Sequence, residues 1–218
     1  MDELERILKA CTYIPASKKI GALDIGITNM GFVTAVTTRN SIESINTCEL
    51  IDIKSLVDNC FTARCRLSHE SSVIDWVAHF IQKFAEELES CDVILIEKQP
   101  PGGIQHVETL LIKEYRSKVS MIYPVSLHKY ANVTGSSYDA RKERMETLAL
   151  PYLKNFEAWK TNTRKHDMAD ALCFILFHIN TVTERPLPPA VPVTSASVEP
   201  IENFIFKKSV PSIKNEYK

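Results

Sequence analysis

The sequence has no apolar run long enough to cross a bilayer. Its longest lies within residues 169–179, well short of the roughly 20 residues a spanning helix needs. A membrane-embedded class is excluded on this reading, and no membrane partner is expected. A targeting leader is missing too. The chain opens Met1-Asp2-Glu3-Leu4-Glu5, which has neither the basic start of a secretory signal nor the Arg-rich, acid-poor look of a transit peptide. No C-x-x-C pair occurs. The six cysteines (Cys11, Cys48, Cys60, Cys65, Cys91 and Cys173) are scattered, a pattern that fits thiols in a reducing compartment better than a disulfide framework. The protein is therefore expected inside the cell and not secreted. Cys60 and Cys65 could join a metal site, but their spacing is loose and no matching pair follows. Net charge is nearly absent as well. The 26 basic and 27 acidic residues leave −1, so the total shows no basic excess for nucleic acid, although local segregation stays open. No internal repeat is visible.

What remains is an ordinary globular composition. The 218 residues and 24.7 kDa suffice for one domain with a core and an appendage. Hydrophobic content of 44% and charged content of 24% exclude a chain that is disordered throughout and one that is fibrous. Glycine and proline divide the chain. All six glycines lie at or before Gly135, whereas Pro186, Pro188, Pro189, Pro192, Pro200 and Pro211 crowd the end. A proline-rich stretch cannot hold a helix and favours an extended backbone. The expected organisation is an N-terminal extension over 1–18, a folded domain over 19–180 and a proline-rich tail over 181–218. The short patch at 204–208 (Phe-Ile-Phe-Lys-Lys) reads either as a docking segment or as incidental aromatics.

Apolar and β-branched runs predict strands over 19–25 and 32–38, joined by Gly26-Ile27-Thr28-Asn29-Met30-Gly31 as a hairpin turn. A third β-leaning segment covers 44–53. Val73, Val77, Phe80, Ile81, Phe84 and Leu88 fall at helical spacing over 72–88, and Ser72 with Asp75 resembles a capping box. A buried-type strand follows over 92–97, then a helix over 107–118, a strand over 121–125, and helices over 138–150 and 166–179. Strands linked by hairpins are antiparallel, and strands that alternate with helices are parallel. The prediction is an α/β fold: a mixed five-stranded sheet, three antiparallel strands then parallel ones, with helices on both faces.

Four carboxylates sit where a structural role is hard to assign. Asp24 interrupts an apolar strand just before a glycine turn. Glu97 ends the strand Val93-Ile94-Leu95-Ile96. Asp167 and Asp170 open a helix that is otherwise nearly all apolar, and their i,i+3 spacing places them on one face. Singly, each has an ordinary explanation: Asp167 as a helix cap, or Glu97 paired with Lys98. Together, at strand ends and a helix start, they can converge on one side of a sheet. Such a cluster repels itself unless cations fill it, and hard oxygen ligands suit Mg²⁺ or Mn²⁺.

These residues carry a resemblance. The run Ala22-Leu23-Asp24-Ile25-Gly26-Ile27-Thr28-Asn29-Met30-Gly31 resembles the first-strand motif of the RNase H-like nucleases. Ile94-Leu95-Ile96-Glu97-Lys98-Gln99 resembles their second acidic motif. His166-Asp167-Met168-Ala169-Asp170-Ala171-Leu172 is similar to the last motif of the RuvC branch. Within that branch the chain most resembles the Holliday junction resolvases of poxviruses and related large DNA viruses, over roughly 19–180. The resemblance implies an RNase H-like fold and a homodimeric endonuclease that cuts four-way DNA junctions symmetrically, leaving 5′-phosphate and 3′-hydroxyl ends. It implies Asp24, Glu97, Asp167 and Asp170 as ligands of Mg²⁺ or Mn²⁺, two ions about 3.5–4 Å apart, and no small-molecule cofactor. It further implies an active-site lysine between the second and last motifs. Lys142 is favoured because it opens a helix after Gly135-Ser136-Ser137, and Lys129 is the other candidate. His166 borders the acids, as a metal ligand, a proton relay or a residue behind them. If the source is viral, the site of action is the host cytoplasm or nucleus.

A junction nuclease needs a basic face, because phosphate neutralisation supplies most of the affinity. Between residues 139 and 166 the basic Arg141, Lys142, Arg144, Lys154, Lys160, Arg164 and Lys165 outnumber Asp139, Glu143, Glu146 and Glu157. Arg164 and Lys165 are the best expected phosphate contacts, with Lys113, Arg116, Lys118 and Lys129 adding to them. No base-reading motif is visible, which suits recognition of shape. Trp76 fits the core side of its helix, and Trp159 stands open between core and DNA stacking. The loop Pro100-Pro101-Gly102-Gly103 reads equally as a DNA-entrance lining or an ordinary connection. Competing readings are another RNase H-like enzyme, acting on RNA–DNA hybrids or branched DNA, and an inactive nucleic-acid-binding module.

Overall fold

Each central strand carries apolar side chains on both faces, which is why its sequence reads as a nearly unbroken apolar run. In β1 (Lys18–Asp24), Ile20 and Ala22 enter one core and Leu23 enters the other. In β4 (Val93–Glu97), Leu95 joins the first core while Ile94 and Ile96 join the second. The same alternation places Val33 and Ala35 of β2 (Met30–Thr37) in the first core and Phe32 in the second. Helices therefore have to cover both sides. The computed structural model describes residues 17–60 and 65–182. Nearly all of the expected N-terminal extension and proline-rich tail, including the patch at 204–208, lies outside the described residues.

The sheet has five strands in the order β3-β2-β1-β4-β5. Strand β2 pairs antiparallel with β1 and with β3 (Ile42–Ile51). Strand β4 pairs parallel with β1 and with β5 (Val119–Ile122). The expected mixed sheet, antiparallel then parallel, is the one observed. In the β1–β2 ladder Asp24 stands opposite Gly31.

One face is covered by α1 (Ile53–Asp58), α2 (Val73–Lys83), α3 (Ala85–Glu89) and α4 (Gln105–Tyr115). Its core includes Ile53, Val77, Phe80, Leu88, Val107 and Leu111, and Phe32 meets Phe80 and Phe84 edge to face at centroid distances of 5.8 and 5.2 Å. The other face holds α5 (Pro124–Tyr130), α6 (Tyr138–Leu153), α7 (Glu157–Thr161) and α8 (Lys165–Val182). Leu127, Met145, Ala149, Leu153, Trp159, Leu172 and Phe174 pack there. Helix α8 is almost wholly apolar past its first turn because it lies directly against the sheet.

Several boundaries differ from the sequence reading. The helix expected over 72–88 breaks at Phe84, whose ψ of 23° leaves the helical range and separates α2 from α3. Ser72 does cap α2, its Oγ accepting from Asp75 N at 3.3 Å, but the Asp75 carboxylate completes no capping box and turns to residues 68 and 70 instead. The strand expected over 121–125 ends at Ile122, because Pro124 occupies the first position of a helix, where its missing N–H is harmless. Helix α6 runs past Pro151 to Leu153. The proline removes one N–H near the helix end, and the fully buried Leu153 offsets that loss.

Candidate active site

Asp24 and Glu97 are the last residues of two adjacent parallel strands, one step beyond the paired Leu23 and Ile96. They share the side-chain parity of Ala22 and Leu95, so they emerge on the face covered by α8. Asp167 lies in the first turn of α8 and Asp170 one turn on. The strand ends and the helix start bring these acids to one cleft of about 280 Å³, lined by Asp24, Glu97, Asp167 and Asp170 with Lys142 and Arg141. All four sequence-predicted carboxylates and the favoured lysine are thus gathered. Lys129 is exposed on α5 and does not line the cleft.

The charges are frustrated. Burial holds the Asp24 carboxyl well above its usual range, and Asp170, Glu97 and Asp167 push the same way, against a smaller pull from Arg164. Burial also raises Glu97. Asp170 is pushed up to about 7 by burial first and then by Glu97 and Asp167, with Lys142 opposing. Asp167 has its own cation: Arg164 Nε lies 2.8 Å from Oδ2 and Nη2 lies 3.3 Å from Oδ1. Lys98, the neighbour that could have neutralised Glu97, pairs instead with the buried Glu108. Among the described residues, Asp24, Glu97 and Asp170 are left as oxygen donors in one cleft without a bidentate protein cation. This donor set fits a hard divalent cation. Asp167 can join it by releasing Arg164.

His166 is half-buried in the same cleft. Its Nε2 lies 3.3 Å from Asp167 Oδ1 and its Nδ1 3.9 Å from Glu146 Oε1. Nε2 is buried and has no hydrogen bond among the described residues, a polar atom left without a well-formed partner beside the acids. Burial lowers the His166 pKa, against the raising effect of Asp167.

The basic residues divide. Arg141 and Lys142 line the cleft on α6, and the Lys142 ammonium sits 4.1 Å from the centroid of the Tyr138 ring. Lys165 lies 5.8 Å over Trp159. Arg144 donates from Nε to the Ala131 carbonyl at 3.3 Å. Arg164, expected as a phosphate contact, is first of all the partner of Asp167, although its side chain remains 46% exposed. Lys113 and Arg116 lie on α4 and at its C-cap, on the opposite face of the sheet from α8. Trp159 is 4% exposed and belongs to the core. Trp76 packs against the second core, with Lys54 Nζ 5.9 Å from its ring. The Pro100–Gly103 turn closes on itself through Gly103 N to Pro100 O and is outside the cleft lining. Sequence reading missed His128 and Tyr138 as lining residues. For Tyr138 a signal existed, since Tyr138, Arg141, Lys142 and Met145 are spaced i, i+3, i+4, i+7 along one helix face.

No family model matches the sequence, and no curated protein sequence does. Solved structures do match. The fowlpox virus resolvase, solved with its substrate Holliday junction DNA, is 17% identical, with 75% of this chain and 98% of that chain covered at a TM-score of 0.53. The fold is that of the Holliday junction resolvases. The fowlpox virus resolvase in a second structure matches at 17% identity, 75% and 99% coverage and a TM-score of 0.50. The yeast mitochondrial Holliday junction resolvase matches at 16% identity, 81% and 84% coverage and a TM-score of 0.50. On this resolvase fold the acidic cleft is formed by the ends of β1 and β4 and the start of α8.

Proposed function

We propose that the protein is a metal-dependent endonuclease that resolves four-way DNA junctions by paired, symmetric nicks. One observation carries the reading: Asp24, Glu97 and Asp170, with Asp167 beside them, converge at adjacent strand ends and a helix start on a resolvase fold. Mg²⁺ or Mn²⁺, two per site, held by these carboxylates, would supply Lewis-acid activation of water and stabilisation of the departing 3′ oxygen. The chain's own residues do the rest. The carboxylates fix where the reacting phosphate can sit. Lys142 brings the cleft's nearest ammonium to that phosphate, and Arg141 and Lys165 extend the positive track. His166 holds its Nε2 3.3 Å from Asp167 Oδ1 at the edge of the carboxylate cluster. Burial in the cleft limits water and strengthens each of these interactions. The products are 5′-phosphate and 3′-hydroxyl ends. Symmetric cutting requires two such sites, so the active form is a homodimer. The catalytic domain spans residues 19–180, and the protein works inside the cell, in a reducing compartment.

The test is a substrate panel with Mg²⁺ or Mn²⁺: a mobile four-way junction, duplex, flap and RNA–DNA hybrid. Symmetric paired nicks on the junction, abolished by chelation, are expected. Preferential cleavage of the hybrid would overturn the reading, and so would a strict monomer in light scattering that still cuts in pairs. Lys142→Met is expected to slow single-turnover cleavage by about 10²-fold, the scale of one lost electrostatic group, while junction affinity in Ca²⁺ changes only a few-fold. Lys129→Met is expected to leave the rate within a few-fold.

A further inference from the structure

The connection between α1 and α2 carries chemistry that the acidic cleft does not use. Cys60 and Cys65 stand in it, His69 follows, and His79 projects from α2. Their ligand atoms, two sulfurs and two ring nitrogens, all lie within 4.8 Å of one another. Cys65 Sγ is 3.7 Å from His79 Nε2. The His69 and His79 rings meet edge to face with centroids 4.8 Å apart, and a side-chain hydrogen bond joins His69 to Cys60. The matching pair that spacing alone did not reveal is therefore a pair of histidines, one in the loop and one in the helix.

A hydrogen-bonded cluster of thiols and imidazoles is the plain alternative, and three features count against it. His79 Nδ1 lies 2.7 Å from the Asp75 carbonyl oxygen, which accepts a hydrogen bond there. That bond fixes the tautomer and leaves the lone pair on Nε2, the nitrogen facing Cys65. Metal-bound histidines are oriented in this way. His69 has φ of 57°, the left-handed region that a histidine enters at a cost. The buried Asp75 carboxylate holds it there, accepting from Ser68 Oγ at 2.7 and 2.8 Å and from Glu70 N at 2.6 Å, on either side of His69. Lastly, Cys60 and Cys65 are half-buried, whereas Cys48, Cys91 and Cys173 are buried in the cores. Burial pushes the Cys48 and Cys91 thiols up to about 12 and about 11 and raises Cys173 further; such thiols pack and do not ligate.

We propose that Cys60, Cys65, His69 and His79 bind one Zn²⁺ ion in a tetrahedral Cys₂His₂ site. Thiolate and imidazole donors select Zn²⁺ over the hard cations that suit the carboxylates of the cleft. Tetrahedral bonds of about 2.3 Å to sulfur and 2.0–2.1 Å to nitrogen set ligand separations of roughly 3.3–3.8 Å, so the cluster closes by about an ångström on binding. The two thiol protons leave to solvent. The site's role is structural. None of the described residues in 59–72 places an apolar side chain in the core, so a bound ion would be what fixes them against the domain. The ion would tie it to α2, across the sheet from the acidic cleft. The proposal does not depend on the nuclease reading.

The test uses the full chain, purified under reducing conditions without chelator. One zinc per chain by elemental analysis is expected. After stripping, Co²⁺ titration is expected to give tetrahedral visible bands and a thiolate-to-cobalt charge-transfer band. Both signals should vanish in Cys65→Ser and in His69→Asn, and survive in Asp24→Asn, whose lesion is in the other site. Asparagine tolerates the left-handed backbone at position 69, so that variant removes the ligand without refolding the loop; circular dichroism checks this. Stripping zinc should lower the melting temperature of the unmodified chain by about 5 °C or more and leave Cys65→Ser unmoved. Zinc well below stoichiometry, a cobalt–thiolate band that survives both ligand substitutions, or a Cys60–Cys65 disulfide under reducing conditions would overturn it.

Discussion

Asp24→Asn and Glu97→Gln are each expected to lower the single-turnover rate of junction cleavage by on the order of 10³-fold or more, as loss of a central catalytic group does. Junction binding measured in Ca²⁺ should hold or tighten, because one negative charge leaves a face that meets phosphates. The same Asp24→Asn substitution should raise the thermal midpoint of the metal-free protein, by the equivalent of about 1 kcal/mol. The reason is in the cluster. Burial disfavours the Asp24 charge, and Asp170, Glu97 and Asp167 add repulsion, while the nearest guanidinium is already paired with Asp167. Asparagine keeps the shape and removes the charge. A carboxylate placed for structure behaves in the opposite way: its loss destabilises with or without metal. The paired measurement, rate in Mg²⁺ and melting in chelator, therefore separates the two roles. Cleavage within tenfold of the unmodified protein, or a lower midpoint in chelator, would count against a catalytic metal cluster at Asp24.

The acids were legible because each breaks a strong local pattern. An Asp inside an apolar strand run, a Glu closing another and two acids opening an apolar helix conflict with burial unless function explains them. The strand directions were legible for a related reason, since a glycine-bounded turn favours a hairpin and intervening helices favour parallel strands. Less legible was information that does not run along the chain. Lys113 and Arg116 follow Glu97 closely in sequence, yet α4 packs through Val107 and Leu111 on the sheet face away from α8. Arg164 precedes the acids in sequence, and the turn into α8 delivers its guanidinium to Asp167 three residues on. The short helices α1, α5 and α7 span only five to seven residues, too few to show a period. His69 and His79 stand in a loop and on a helix, so no spacing rule links them to Cys60 and Cys65. The candidate lysines are the intermediate case: two fitted the sequence, and of these Lys142 lines the cleft and Lys129 does not.

Gly31→Ala is expected to damage the acidic site without touching a carboxylate. Gly31 faces Asp24 across the β1–β2 ladder, and a Cβ built on it would lie 2.0 Å from the backbone oxygen of Asp167 and 2.5 Å from its carbonyl carbon. Both obstacles are main chain, so no side chain can rotate away. The start of α8 would have to retreat by about 1 Å, carrying Asp167 and Asp170 with it. Overpacking of this kind destabilises by roughly 1–3 kcal/mol, and a misplacement of about 1 Å in a catalytic group is enough to cost roughly 10²-fold in rate. The two losses are separable. At a temperature where circular dichroism shows the variant fully folded, cleavage should still be slowed by about 10²-fold, and excess Mg²⁺ should not restore it, since the displaced carboxylates cannot return. Gly102→Ala is the control: φ there is 83°, and a Cβ meets nothing within 4 Å, so backbone strain should lower stability while the rate per folded molecule stays within a few-fold. Full activity of folded Gly31→Ala would mean that the tight seat of α8 against β2 is not what sets the carboxylate geometry. The glycine beside Asp24 would then be there only for the hairpin turn that the sequence suggested.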